Sequence, residues 1–298
     1  MTDGRMISRR NFLRLAGGAA GAASVGFLTA SCGGETATIP GPDEETIEQQ
    51  QEAGSKQEEE IRGNQQQAGS EADLGRLLAR PGPPRSDSTP STGLQSLNLG
   101  YERDGILYVP EGYRAAEEAP LALVLHGSMS NARRGISPFL DPADEAGLVL
   151  LAPDSRDRRD WDHFFLGNYG PDVAFIDQAL EQTFDRLAVD AQRLAVVGFS
   201  DGASYALSLG LVNGDLFTHV IAFAPGLMFP ATYRGEPSIF VLHGAHDEVL
   251  RPGRTSRRIV PRLKGMGYEV RFREFEGGHV VPPEGARAAV DWIVGGQG

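Results

Sequence analysis

The sequence predicts an α/β fold, a mostly parallel sheet covered by helices on both faces. Three observations carry that expectation. Strand-length apolar runs alternate with amphipathic helical stretches from residue 94 onward. Several of the runs have no polar alternate positions, as expected of strands buried on both faces. One of them leads directly into a glycine-flanked serine turn and then a helix.

Taken in order, 94–99 and 105–109 read as an opening pair of strands. Leu121-Ala122-Leu123-Val124-Leu125 is a continuous apolar run, and 148–152, 194–197 and 238–242 repeat its character. Segment 268–275 alternates and reads as a late strand. Pro171-Asp172 opens a helix that carries Val173, Ile176, Leu180, Phe184 and Leu187 at helical spacing. A second helix follows Ser200 with Ala203, Ala206, Leu207 and Leu211. A last one starts near Pro283 with Ala286, Ala289, Val290 and Ile293. Pro261 falls inside the helix expected between Arg254 and Met266 and predicts a kink, because proline has no N–H to donate.

The first 92 residues have a different composition. Arg9-Arg10-Asn11-Phe12-Leu13 precedes an uncharged, Ala- and Gly-rich stretch to Ala30, the pattern of a twin-arginine export signal over residues 1–31. A stretch of about 16 residues with many glycines is a poor span of a ~30 Å hydrocarbon layer. Leu28-Thr29-Ala30-Ser31-Cys32 resembles a lipobox, with Leu28 one place further from the cysteine than usual. Lipidation at Cys32 and a membrane anchor outside the cytoplasm are the expectation. Residues 32–92 hold Gln49-Gln50-Gln51, Glu58-Glu59-Glu60, Gln65-Gln66-Gln67 and Pro81-Gly82-Pro83-Pro84. No aromatic residue occurs from 33 to 92. Such a stretch buries too little apolar surface to offset its ordering entropy, so it reads as a disordered tether to a folded domain at 93–298.

The chain carries a formal net charge of −12. The leader holds four arginines against one aspartate, which leaves 24 basic and 39 acidic residues beyond it. That balance argues against nucleic acid as a partner, since phosphate binding needs concentrated Lys and Arg. Cys32 is the only cysteine, so no internal disulfide forms.

Gly198-Phe199-Ser200-Asp201-Gly202 stands between the 194–197 strand and the following helix, which is the setting of a nucleophile elbow. An acid and then a histidine are required downstream. Ile239-Phe240-Val241-Leu242-His243-Gly244-Ala245-His246-Asp247 is a strand and a loop ending in an acid, and Phe275-Glu276-Gly277-Gly278-His279 is a strand and a loop ending in histidine. Ser200, Asp247 and His279 are therefore the candidate catalytic residues, with His279 as the base and Asp247 fixing its tautomer. Two backbone N–H groups are expected to form an oxyanion hole, one from Asp201 and one from Ser128 or Met129 after the 121–125 strand. His243, His246 and Glu248 compete for the histidine and acid roles. His126, His163 and His219 lack the required position. His243 and His246, three apart, are the only hint of a zinc site, and no other ligand pattern joins them.

From about 105 to 296 the chain resembles the phospholipase/carboxylesterase family of α/β-hydrolases. The matching pieces are Leu125-His126-Gly127-Ser128, Gly198-Phe199-Ser200-Asp201-Gly202, Leu242-His243-Gly244-Ala245-His246-Asp247-Glu248-Val249 and Gly277-Gly278-His279. Asp172-Val173-Ala174-Phe175-Ile176 ahead of Val189-Asp190 is similar to the polyhydroxybutyrate-depolymerase and feruloyl-esterase relatives. The resemblance implies an α/β-hydrolase fold and hydrolysis of a small-molecule or lipid-like carboxylic ester, with no metal and no cofactor. Asp201 stands where the family often has Gln or Asn, which disfavours anionic substrates such as phospholipids. A peptidase or amidase on the same scaffold, or an envelope binding protein without catalysis, are the alternatives. Segment 154–171, with Arg156, Arg158, Arg159, Trp161, Phe164 and Phe165, reads as a short lid whose arginines face solvent or a substrate carboxylate.

Overall fold

The computed structural model describes residues 74–85, 91–162 and 169–295, all within the unit Ser55–Gly298. The strands are β1 Gly93–Ser96, β2 Gly105–Val109, β3 Ala119–Leu125, β4 Val149–Pro153, β5 Val189–Phe199, β6 His219–Phe223, β7 Ser238–Gly244 and β8 Val270–Phe275. They form one sheet in the order β1-β2-β4-β3-β5-β6-β7-β8. The β1–β2 and β2–β4 pairs are antiparallel, and every later pair is parallel. The helices are α1 Ala132–Ile136, α2 Leu140–Ala146, α3 Pro171–Arg186, α4 Asp201–Val212, α5 Ser256–Gly265 and α6 Pro283–Val294.

The two-residue strand period splits each apolar run between two cores. Leu121, Leu123, Leu194, Val196, Ile239 and Val241 point to one side, where α3, α4 and α5 pack. Ala122, Val124, Ala195, Val197, Phe240 and Leu242 point to the other, against α1, α2 and α6. Every residue of β3, β4, β6 and β7 is buried, which explains why these runs carry no polar alternation. This is the α/β-hydrolase architecture, and it sets the C-terminal ends of β3, β5, β7 and β8 along one edge of the sheet.

The structure adds to or departs from this reading at three places. β6 is not announced by the sequence: only Asn213-Gly214-Asp215 separates α4 from a further apolar stretch, and five residues do not declare a period. Pro261 lies inside α5, which runs through it from Ser256 to Gly265. Pro261 and Arg257, whose carbonyl loses its N–H partner to the proline, are both exposed residues. The tether boundary at residue 92 is too late, because residues 74–85 lie on the folded body.

That segment is held by specific bonds. Leu77 is fully buried, and its N–H donates to Asn213 Oδ1 at 2.9 Å. The Arg76 guanidinium donates to Val212 O at 2.7 Å and grips Asp215 through both nitrogens at 2.7 and 2.8 Å. The N–H groups of Leu78 and Ala79 share Asp177 Oδ1 at 2.7 and 2.8 Å. Residues 32–73 and 86–90 of the tether, the leader and Cys32 lie outside the described residues. Among the described residues no helix is long and apolar enough to cross a membrane.

The Arg76 bonds, outweighing burial, draw the Asp215 carboxyl down to about 2. A depressed carboxyl stabilises the fold above its unfolded value near 4 and loses that contribution as pH falls through about 2. Arg76→Ala is expected to cost about 2 kcal/mol in urea unfolding at pH 7, below the figure for a fully buried pair because Asp215 is partly exposed. The deficit relative to wild type should shrink between pH 4 and pH 2. An Arg76→Ala chain as stable as wild type at pH 7 would contradict this anchoring.

Candidate active site

β5 ends at Phe199, α4 begins at Asp201, and Ser200 alone makes the turn with φ 58° and ψ −118°. A non-glycine residue in that region is strained by about 1–3 kcal/mol and persists only where its surroundings hold it. Here the Ser200 N–H donates to Phe223 O of β6 at 2.9 Å. Gly198 and Gly202 make the sharp turn possible. A Cβ on Gly198 would collide with the Gly202 backbone, and one on Gly202 with the carbonyls of Leu125 and His126.

His279 reaches Ser200 from the loop after β8. Its Nε2 accepts from Ser200 Oγ at 2.8 Å, and its Nδ1–H donates to Asp247 Oδ2 at 2.6 Å. A carboxylate only accepts, so the proton sits on Nδ1 and the neutral ring keeps its lone pair on Nε2. The Phe199 ring lies 4.8 Å from the imidazole. Asp247 follows β7 and is 3 % exposed. Its Oδ1 accepts from the N–H groups of Val249 and Leu250, both at 2.8 Å. Burial opposes ionisation of this carboxyl. The bond from His279 and the two amides outweigh it, so the group is held below the usual carboxylate range.

The rival residues go elsewhere. Glu248 is exposed. His246 pairs with Glu276 at the surface, at 2.9 Å. His243 is fully buried at the end of β7, where Nε2–H is shared between Leu250 O at 2.7 Å and Asp247 Oδ2 at 3.2 Å. His243 and His246 thus point to separate partners and do not converge on a common point.

The oxyanion candidates narrow. The Met129 N–H donates to Arg159 O at 2.8 Å, so it is spent, and Ser128 remains. His126 orients that stretch. It takes the Ser155 N–H on Nε2 at 3.1 Å, which leaves the proton on Nδ1 to donate to Gly127 O at 2.8 Å. With the Gly127 carbonyl turned to His126, the Ser128 N–H on the opposite side of the same trans peptide faces away from it. Asp201 opens α4 directly behind Ser200.

The 154–162 stretch forms a wall beside the site. Trp161 is 2 % exposed, donates from Nε1 to His126 O at 2.8 Å, stacks on Tyr205 and donates its N–H to Asp201 Oδ2 at 3.1 Å. Arg156 lies 3.5 Å over the Phe175 ring and donates to Asp154 O at 2.7 Å, and Arg158 pairs with Glu102 at 2.7 Å. These two arginines have protein partners. Phe164, Phe165 and the rest of 163–168 lie outside the described residues, so the lid expectation falls there. A cavity of about 570 Å³ opens over Ser200 and His279. Its walls are Met129, Phe199, Leu227, Val249 and Leu250, with Arg134 and Asp201 as the charged members. Ser204 shapes it: its Oγ accepts the N–H groups of Gly226 and Leu227 at 2.9 and 3.3 Å. The sequence places Trp161 in the 154–171 segment beside the site, whereas no motif announces Ser204.

Residues 172–294 match the phospholipase/carboxylesterase family model, a span that includes Ser200, Asp247 and His279. The chain is 29 % identical over 170 residues to feruloyl esterase C of Emericella nidulans, covering 54 % of this chain and 60 % of that protein. It is 27 % identical over 200 residues to a probable feruloyl esterase C of Aspergillus clavatus, covering 63 % and 68 %. The chain thus spans about 60 % of the length of the first of these relatives. Among solved structures it is similar in fold to S-formylglutathione hydrolase from Staphylococcus aureus, with TM-score 0.56, 14 % identity, and 69 % and 100 % of the two chains covered. It is likewise similar to esterase PE8, with TM-score 0.53, 21 % identity, and 67 % and 97 % covered.

Proposed function

We propose, for a chain that belongs to the α/β-hydrolase superfamily, the hydrolysis of carboxylic esters through an acyl-enzyme on Ser200. The observation that carries this reading is the continuous line of hydrogen bonds Ser200–His279–Asp247 at the floor of an apolar cavity. His279 Nε2 accepts the Ser200 proton as Oγ attacks the ester carbonyl, and the imidazolium then faces the Asp247 carboxylate. The N–H groups of Ser128 and Asp201 receive the developing oxyanion. His279 returns the proton to the leaving alkoxide. A water repeats the sequence in reverse to release the acid.

Apolar walls suit an uncharged acyl arm, and the feruloyl esterase relatives make aromatic acyl groups the first to try. Steady turnover of p-nitrophenyl butyrate or methyl ferulate, abolished by prior treatment with an organophosphate, is the expected result. Failure to turn over any member of an aliphatic and aromatic ester series would overturn the reading.

The proposal extends to location. The twin-arginine leader and Cys32 support export in folded form and lipid anchoring to the outer side of a membrane. Arg9→Lys with Arg10→Lys should retain the protein in the cytoplasm, and Cys32→Ala should end its labelling by palmitate. A soluble, unlipidated wild type would contradict the anchor.

A further inference from the structure

His243 is a costly residue to bury. It is 0 % exposed, and both neighbours of its Nε2 are acceptors, so the proton sits there and Nδ1 keeps a lone pair. That Nδ1 is buried and has no hydrogen-bond partner among the described residues. Burying an unpartnered polar atom costs free energy that a leucine of similar bulk at this position would avoid. Burial also holds the imidazole in its neutral form.

The one polar group His243 does use is aimed at the site. Its Nε2–H meets Asp247 Oδ2, the same oxygen that accepts His279 Nδ1–H, and it meets Leu250 O, whose own N–H binds Asp247 Oδ1. The carboxylate therefore has four donors: Val249 and Leu250 on Oδ1, His279 and His243 on Oδ2. Leu250 is also a wall of the cavity.

We propose that His243 is a positioning residue for the 247–250 turn. It clamps Leu250 O and competes with His279 for Asp247 Oδ2, so it sets both where the acid stands and how tightly it holds the His279 proton. This rests on the function proposed above for Ser200, His279 and Asp247. The titratable groups facing His243 are Asp247 and, beyond it, His279.

The test uses the full chain with His243→Leu and His243→Gln. Glutamine places an N–H donor near the position of Nε2, and leucine places none. The first readout does not need turnover. The His279 Nδ1–H in its 2.6 Å bond should give a low-field proton NMR line, assigned by its loss in Asp247→Asn. With its competitor gone, Oδ2 accepts more strongly, so His243→Leu should move that line further downfield and His243→Gln should return it. The second readout is kinetic. His243→Leu should lower kcat by about 10- to 100-fold, the scale of a slight misplacement of a reacting group, with KM within twofold. His243→Gln should restore most of it.

A line that stays put or moves upfield in His243→Leu overturns the proposal. So does unchanged kcat, and so does a parallel change in kcat and KM that glutamine does not repair. Full ester turnover by Ser200→Ala would instead overturn the site itself, while the NMR line still decides whether His243 acts on Asp247.

Discussion

Ser200→Ala is expected to lower kcat by about 10⁶ on any ester the wild type turns over, and His279→Ala by the same order. In the proposed mechanism the chemistry passes through one chain of two hydrogen bonds, Ser200 to His279 and His279 to Asp247. Without Oγ there is no nucleophile to acylate. Without Nε2 the nucleophile keeps its proton. The double variant should be no slower than either single one, because each already removes the whole covalent route, leaving the oxyanion donors and binding alone. Neither change should unfold the chain. The turn at Ser200 is held by its backbone bond to Phe223 and by the close approach of Gly198 and Gly202, none of which involves the side chain. Matched urea unfolding beside kcat on one ester checks both halves.

Asp247→Asn is expected to cost about 10⁴ in kcat. The amide has only one workable orientation. The Val249 and Leu250 N–H groups need an acceptor at the Oδ1 position, so the amide oxygen stays there. The NH2 group is then forced to the Oδ2 position, against His279 and His243. There it demands a lone pair on His279 Nδ1, which moves the ring proton to Nε2. An Nε2–H cannot accept the Ser200 proton. Glu248→Gln should leave kcat within a few-fold of wild type, because the Glu248 side chain is exposed while Asp247 is buried. A crippled Glu248→Gln beside an active Asp247→Asn would reverse the assignment of the acid.

The parts of this arrangement that were legible in the sequence are those written in local pattern. β3, the 194–197 half of β5 and the 239–242 core of β7 are apolar runs, and each leads into a turn that holds a glycine, so strand, loop and polar residue could be placed together. Ser200, Asp247 and His279 follow from that order. What stayed hidden depends on contacts between distant residues. Ser128 and Met129 are neighbours with equal claims as donors until Arg159, thirty residues on, takes the Met129 N–H. Leu77 is one of three leucines, with Leu74 and Leu78, in a stretch without aromatics, and only Asn213 and the surface around it show why Leu77 is the one buried. His243 reads as a competitor for the histidine role, whereas its partners, Asp247 and Leu250, lie in the turn that the strand feeds.

The central claim is that the reactive oxygen of this chain is Ser200 Oγ, activated by His279. Intact mass and peptide mapping after reaction with a fluorophosphonate test it most directly, since that reagent traps an activated serine and needs no knowledge of the natural ester. One adduct per chain is expected, on Ser200, formed in step with loss of ester turnover and formed far more slowly in His279→Ala. An adduct on another serine, or full ester turnover by a chain fully modified at Ser200, would contradict it.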